Sequence, residues 1–134
     1  MLPTPKKVKL VAGKGEGNTT LTAFDRALLN AGIGNLNLVR ISSILPPQCV
    51  LEEDFDVPPG SLTPTAYGAE MSDNPGELIA AAIGIGFSHD DYGVIMEFHG
   101  HCSDEHAKNQ VEAMVHEAFE MRGKELKEVY SLAV

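Results

Sequence analysis

Residues 35–47 read NLNLVRISSILPP, and the rest of the chain is interpreted outward from them. Alternating apolar and β-branched residues predict a strand over 35–43, which Pro46 and Pro47 then end. Ser42 and Ser43 stand side by side at its close with no evident hydrogen-bonding duty. Asn37 shares side-chain parity with Ser43, yet six residues of straight strand would hold the two about 20 Å apart. They can serve one site only across an interface between subunits, or if the strand bends sharply.

Upstream, VKLVAG (8–13) predicts a strand and leads into the Gly-rich GKGEGNTT, whose closing hydroxyls suit a helix N-cap. Leu21, Phe24 and Leu28 then recur at helical spacing, and Gly32 in NAG is placed to close the helix. Downstream, PPQCVLEEDFDVPPG (46–60) predicts a loop with room for a brief extended piece, and SLTPTAY (61–67) a short strand. SDNPGELIAAAIGIGF (72–87) predicts a capped helix with Pro75 in its first turn. YGVIMEFHG (92–100) predicts a strand, and Ser103 to Gly123 the longest helix, with Ala107, Val111, Met114, Ala118 and Phe119 as its buried stripe. LKEVYSLAV (126–134) predicts a final strand at or near a sheet edge. This irregular alternation points to sheets covered by helices in one domain over residues 1–134, not to a doubly wound nucleotide fold.

Composition sets the boundaries. The chain has 134 residues, 43% of them hydrophobic, enough for a single core. Ten Lys and Arg against 19 Asp and Glu leave a net charge of −9, which disfavours nucleic acid and anionic membranes and favours a small cationic ligand. No apolar run has the length of a membrane span, and the first ten residues lack a signal-peptide core. Cys49 and Cys102 have neither metal nor redox spacing and are expected to be reduced thiols in the cytoplasm.

A serine pair beside a strained carbonyl has a specific chemistry. The downstream hydroxyl attacks the carbonyl of the residue before it, and the peptide becomes an ester. β-Elimination releases the upstream carboxylate and leaves dehydroalanine, which hydrolyses to a pyruvoyl ketone with loss of ammonia. A ketone of this kind forms a Schiff base with an amine and draws electrons from the adjacent carbon, as pyridoxal phosphate does elsewhere. An ordinary capped turn is the alternative meaning of the pair.

The segments LVAGKGEG, LTAFDRALLNAGIGNLNLVRISSILPP, PTAYG, SDNPGE, GVIMEF and FEMRGKEL occur in this order, and together they resemble the pyruvoyl-dependent arginine decarboxylases from about residue 8 to the C-terminus. The resemblance implies cleavage between Ser42 and Ser43 into a β chain (1–42) and an α chain (43–134) headed by a covalent pyruvoyl group derived from Ser43. It implies an αββα sandwich in a homotrimer of αβ protomers with active sites between neighbours, and conversion of arginine to agmatine and carbon dioxide. Polyamine supply and acid tolerance are both suitable uses. It assigns Asp25 to the substrate guanidinium, a pairing for which carboxylate geometry is suited. Leu28, Leu36 and Ile44 would line the methylene part of that pocket, and Asn37 would hydrogen-bond at the active site. Asp25 also has a plainer meaning as an acid early in a helix, and the three apolar residues as core.

Glu97 carries an argument of its own. It interrupts an apolar strand on the face shared by Gly93, Ile95 and His99. A carboxyl among apolar neighbours holds its proton more tightly, which suits a donor to the carbanion-like carbon that decarboxylation leaves. The resemblance singles out the same residue.

Rival readings have weaker support. GKGEGN matches no phosphate-binding pattern. His99, His101, Cys102 and His106 are zinc-compatible types, but alternation turns Cys102 away from the two histidines before it, and no metal is expected. The acidic EEDFD reads as a solvated loop before a calcium site. An unprocessed, non-catalytic homologue binding a cationic metabolite is the alternative function.

Overall fold

The computed structural model describes residues 2–134. The chain runs β1 (Lys7–Val8), α1 (Thr20–Asn30), β2 (Asn37–Arg40), β3 (Ile44–Leu45), β4 (Val50–Leu51), β5 (Leu62–Thr65), β6 (Ala80–Ser88), β7 (Gly93–Gly100), α2 (Asp104–Met121) and β8 (Leu126–Ala133). This is an α+β fold: a four-stranded antiparallel sheet ordered β3-β7-β6-β8, and two parallel pairs, β1-β4 and β2-β5.

The largest departure from expectation is residues 72–87, which are not a helix. Ser72–Glu77 form a turn, in which the Ser72 hydroxyl accepts from the Asn74 N–H (3.0 Å) and Gly76 takes φ +84°. The apolar run that follows is β6, paired with β7 on one side and β8 on the other. A run apolar on both faces fits a strand buried on both faces as well as a helix, and its glycines decide the matter. A Cβ at Gly86 would lie 2.5 Å from Val115 and 2.7 Å from Phe119, and one at Gly84 would lie 3.3 Å from Val111. Helix α2 therefore rests directly on the backbone of β6.

Alternation along the sheet divides the core. Ala80 and Ala82 of β6 and Val94 of β7 pack with Ala107, Val111, Val115, Ala118 and Phe119 of α2. The buried stripe thus contains Val115 where Met114 was expected; Met114 is only half-buried. On the opposite face Ile85 and Ile95 join Leu45 and Cys49, under Val8, Leu10, Ile41 and Ala66. Ser103 caps α2, accepting from the His106 N–H at 3.0 Å, and Gly123 follows its end at φ +61°.

Helix α1 is held in another way. Thr19 caps it through a reciprocal pair with Thr22, and Gly32 leaves it at φ +83°. The Gly-rich segment before it forms no sheet ladder, since β1 ends at Val8. It runs back along the helix instead, with Gly13 against Ala27 and Ala31, Gly15 against Arg26 and Ala27, and Gly17 against Thr22 and Ala23. A Cβ at Gly13 would meet the Ala27 carbonyl at 2.2 Å. The glycines serve backbone approach to a small-residue stripe on the helix.

The strand expected over 35–43 is also divided. Its first part, β2, pairs parallel with β5, where Pro64 is tolerated because β5 is an edge strand. The chain leaves that pair after Arg40 and enters the four-stranded sheet as β3, antiparallel to β7.

Replacing Gly86 by Ala should lower the unfolding free energy by about 1–3 kcal/mol, because neither Val115 nor Phe119 has room to retreat in a packed core. Gly84→Ala, with 3.3 Å of clearance, should cost less. Urea titration of both variants at one protein concentration checks the order.

Candidate active site

Ser43 occupies the passage between the two sheets. Its carbonyl accepts from the Ile95 N–H at 2.7 Å, next to the Ile44–Val94 pair. Carrying that register one residue further sets Ser43 opposite Ile95, on the face of β7 that also bears Glu97. Ser42, one residue earlier, is exposed and lies outside any ladder, whereas the Ile41 N–H still donates to the Thr65 carbonyl at 3.1 Å. The two hydroxyl residues therefore sit where backbone pairing is interrupted, beside a strand that holds a carboxyl.

Glu97 is half-buried on β7 opposite Ile83. Its Oε2 is enclosed and has no hydrogen-bond partner among the described residues, while Oε1 lies 3.5 Å from Arg40 Nη2. Segment 66–70 closes one side of the group, with Gly68 so near that a Cβ there would lie 3.4 Å from Glu97 Cβ. A buried carboxyl oxygen without a partner is costly unless it carries a proton or meets a ligand.

Arg40, the last residue of β2, was not singled out from the sequence. Its guanidinium stands 4.4 Å from the Tyr67 ring centroid and donates to the Tyr67 carbonyl at 3.1 Å. Tyr67 in turn meets Phe24 of α1, with ring centroids 6.1 Å apart. One cation thus links the strand before the serine pair, the carboxyl on β7 and the segment beside α1. The sequence signal was a single charged residue in the expected strand over 35–43.

The remaining expected residues are spread around this centre. Asn37 is exposed and donates to the Gly60 carbonyl at 2.8 Å, in the β2-β5 pair and not in the sheet that receives Ser43. The break after Arg40 corrects the straight-strand assumption, but Asn37 and Ser43 still belong to different sheets. Asp25 is exposed in the second turn of α1, which has no acid in its first turn, so the helix-end role does not apply. Leu28 and Leu36 are half-buried, and Ile44 is 41% exposed, so none of the three is core. Cys49 is buried, which raises its thiol pKa, and both it and Cys102 are free.

His99 and His101 also have partners the sequence did not disclose. His99 Nδ1 lies 3.1 Å from Glu70 Oε2, and His101 lies 3.9 Å from Glu70 and 3.0 Å from Glu77. His106 is instead edge-on to Phe98. Among the described residues no group of three or more His, Cys, Asp or Glu is arranged to hold a metal ion. The hydrogen bond from His99, then that from the Met71 N–H, hold the Glu70 carboxyl below its usual range, and the Ser72 hydroxyl does the same for Glu77. These contacts fasten segment 66–79, which carries Tyr67, to the end of β7. No helix is long and apolar enough to cross a membrane among the described residues.

The family model for pyruvoyl-dependent arginine decarboxylase matches residues 7–134. The chain is 52% identical over 132 residues to a pyruvoyl-dependent arginine decarboxylase of Methanocaldococcus jannaschii, covering 97% of this chain and 80% of that protein. Proteins of the same name from Thermococcus sibiricus and Pyrococcus abyssi are 47% and 45% identical, over 93% and 94% of this chain and 81% and 82% of their own lengths.

The lowered Glu70 carboxyl makes stability depend on pH in a defined direction. Its contribution is complete above the ordinary carboxylate value of about 4.3 and is lost as pH falls through the lower folded value. The difference in Tm between the protein and its Glu70→Gln variant should therefore stay constant down to about pH 5 and shrink below about pH 4. A difference that persists unchanged to about pH 3 would show that the contact does not depend on the charge.

Proposed function

The chain belongs to the pyruvoyl-dependent arginine decarboxylase family, and from that premise we propose that it cleaves itself between Ser42 and Ser43 and decarboxylates L-arginine to agmatine. The observation that carries this reading is the placement of Ser43 at the break between sheets, one register step from β3 and on the Glu97 face of β7. In the cleavage the Ser43 hydroxyl attacks the Ser42 carbonyl and the amide nitrogen leaves that carbon as the ester forms. Loss of the residue 43 α-proton then expels the Ser42 carboxylate, and water converts the resulting dehydroalanine to a ketone and ammonia. Absence of a ladder at Ser42 gives its carbonyl the freedom to become tetrahedral, which a paired strand would deny.

A ketone at residue 43 supplies the electron-withdrawing centre on which an amino acid, joined through its amine, can lose carbon dioxide. The residues fit such a group: Glu97, with its enclosed and unpartnered Oε2, stands on the same face of β7. Glu97 delivers a proton to the substrate Cα after carbon dioxide leaves. Asp25 pairs with the guanidinium, Leu28, Leu36 and Ile44 flank the methylenes, and Asn37 hydrogen-bonds the reacting end.

Asp25 and Asn37 reach Ser43 from a neighbouring subunit in this reading, within a homotrimer in which each protomer becomes an αββα sandwich. Support comes from α1, which buries none of its residues fully and leaves Leu21 75% and Leu29 46% exposed. Free Cys49 and Cys102 suit a reducing cytoplasm.

Intact mass after expression is the direct test: two fragments divided after residue 42, the larger reactive to hydroxylamine, against one chain for Ser43→Ala. Cleavage of Ser43→Ala at the same bond would refute the acyl shift. Asp25→Asn should weaken arginine binding by about 1.5–3 kcal/mol with cleavage largely spared. Reassembly of Ser43→Ala chains with processed Asn37→Ala chains should restore activity above either parent. Mixed trimers without recovery would place each site inside one chain.

A further inference from the structure

Helix α1 has few ties for an element that carries Asp25. Among the described residues no strand or helix packs along it, and it buries none of its residues fully. Its backing is the Gly-rich segment, where Asn30 Nδ2 donates to the Lys14 carbonyl at 2.6 Å. Helix and segment both precede residue 42, so cleavage would leave the two together on the β chain. Tyr67 links them to the other side of the cut. Its ring meets that of Phe24 at 6.1 Å, with the planes tilted by 37°, and the Arg40 guanidinium at the end of β2 lies 4.4 Å from the same ring. One side chain after the cut thus receives both α1 and β2. Tyr67 is itself placed independently of α1. Thr65, two residues earlier, closes the β2-β5 ladder, and Gly68, one residue later, is so close to β7 that a Cβ on it would lie 3.2 Å from the Phe98 carbonyl. Glu70 then bonds His99.

Phe24 and Asp25 are consecutive on the helix, where neighbours point about 100° apart. A ring contact at Phe24 therefore fixes the roll of α1 and, with it, the direction in which Asp25 is presented. Pairing of a planar guanidinium with a carboxylate through two parallel bonds depends on that direction. We propose that Tyr67 is a positioning residue for substrate recognition, which through Phe24 sets α1 so that Asp25 faces the substrate guanidinium. This role rests on Asp25 being the group that reads the guanidinium. Tyr67 itself touches no substrate in this account. Its contact matters most after cleavage, when α1 and β7 belong to different chains and a ring pair across the cut keeps them in register.

The test uses Tyr67→Leu and Tyr67→Phe in the processed protein, with Asp25→Asn as reference. Phenylalanine keeps a ring for both Phe24 and the Arg40 cation, and leucine keeps only the backbone carbonyl. Loss of the ring should raise KM for arginine about three- to tenfold in Tyr67→Leu, with kcat within about threefold of native. Tyr67→Phe should stay within about twofold of native in both. Because Tyr67 acts through Asp25, the double variant Tyr67→Leu/Asp25→Asn should have a KM no higher than Asp25→Asn alone, whereas independent effects would multiply. A second readout needs no turnover: in uncleaved Ser43→Ala protein, amide hydrogen exchange over residues 20–30 should quicken about three- to tenfold with Tyr67→Leu and not with Tyr67→Phe, while β6 and α2 exchange as before. Because it is made on uncleaved protein, it decides the matter even if Tyr67→Leu cleaves poorly. Unchanged exchange over 20–30, multiplying KM effects, or a Tyr67→Phe as impaired as Tyr67→Leu overturns the role of Tyr67 alone, given that Asp25→Asn raises KM. If Asp25→Asn instead leaves KM unaltered, Asp25 does not read the substrate and both readings fall.

Discussion

The 2.7 Å hydrogen bond from the Ile95 N–H to the Ser43 carbonyl draws the chain out of one sheet and into another. Before it, residues 37–40 pair with β5; after it, residues 44–45 pair with β7. Residues 41–43 span the gap: the Ile41 N–H still donates to the Thr65 carbonyl, the Ser43 carbonyl already accepts from Ile95, and Ser42 between them belongs to neither ladder. A peptide bond that is to be attacked must change shape, and a regular strand resists that because each carbonyl is held by its neighbour. For the proposed self-cleavage, the position of the serine pair in the gap would meet this requirement while the flanking segments remain tied down. Leu45 and Ile95, both buried in one cluster, keep the far side of the junction in place.

Around this junction the fold relies on close backbone approach more than on large side chains. The sequence has no Trp and only 6% aromatic residues, and it contains 13 glycines. Two sets of glycines have a definite task. Gly84 and Gly86 admit α2 onto β6, and Gly13, Gly15 and Gly17 lie along the face of α1 that carries Ala23, Ala27 and Ala31. Added methyl groups at such contacts meet backbone atoms or packed side chains, so the spacing of layers is determined by residues that contribute almost no side-chain area. The same geometry brings segment 66–70 against β7 at Gly68, where it encloses Glu97.

Charge is distributed with comparable economy. In a chain of net charge −9, carboxylates are plentiful and basic side chains scarce, and several of the basic ones meet more than one partner. Arg40 joins Tyr67 to Glu97, and His99 and His101 join Glu70 and Glu77 to the end of β7. The acidic surplus remains at the surface, where it suits a cationic substrate. The candidate acid is thus bordered on one side by a fixed cation and closed in by a segment that histidines fasten.

Local pattern was sufficient for the elements whose periodicity is plain. The helix from Ser103, the strand over 92–100, the closing strand and the caps at Thr19 and Gly32 are readable because neighbours in sequence are neighbours on one face. The serine pair and Glu97 stood out from the sequence for the same reason: each interrupts an apolar run with polar groups. The run 78–87 misled because it is apolar on every side, and only the approach of α2 makes Gly84 and Gly86 necessary in a strand. Arg40 and Glu97 are 57 residues apart, and His101 and Glu70 are joined only where β7 passes segment 66–79. Such pairs have no periodic signature, since their proximity comes from chain crossings and not from spacing. The sequence by itself therefore determined which residues have chemistry to offer and which segments are regular. Tertiary structure decided which of them meet, because a strand that changes sheets brings distant residues together at a point that no local rule marks.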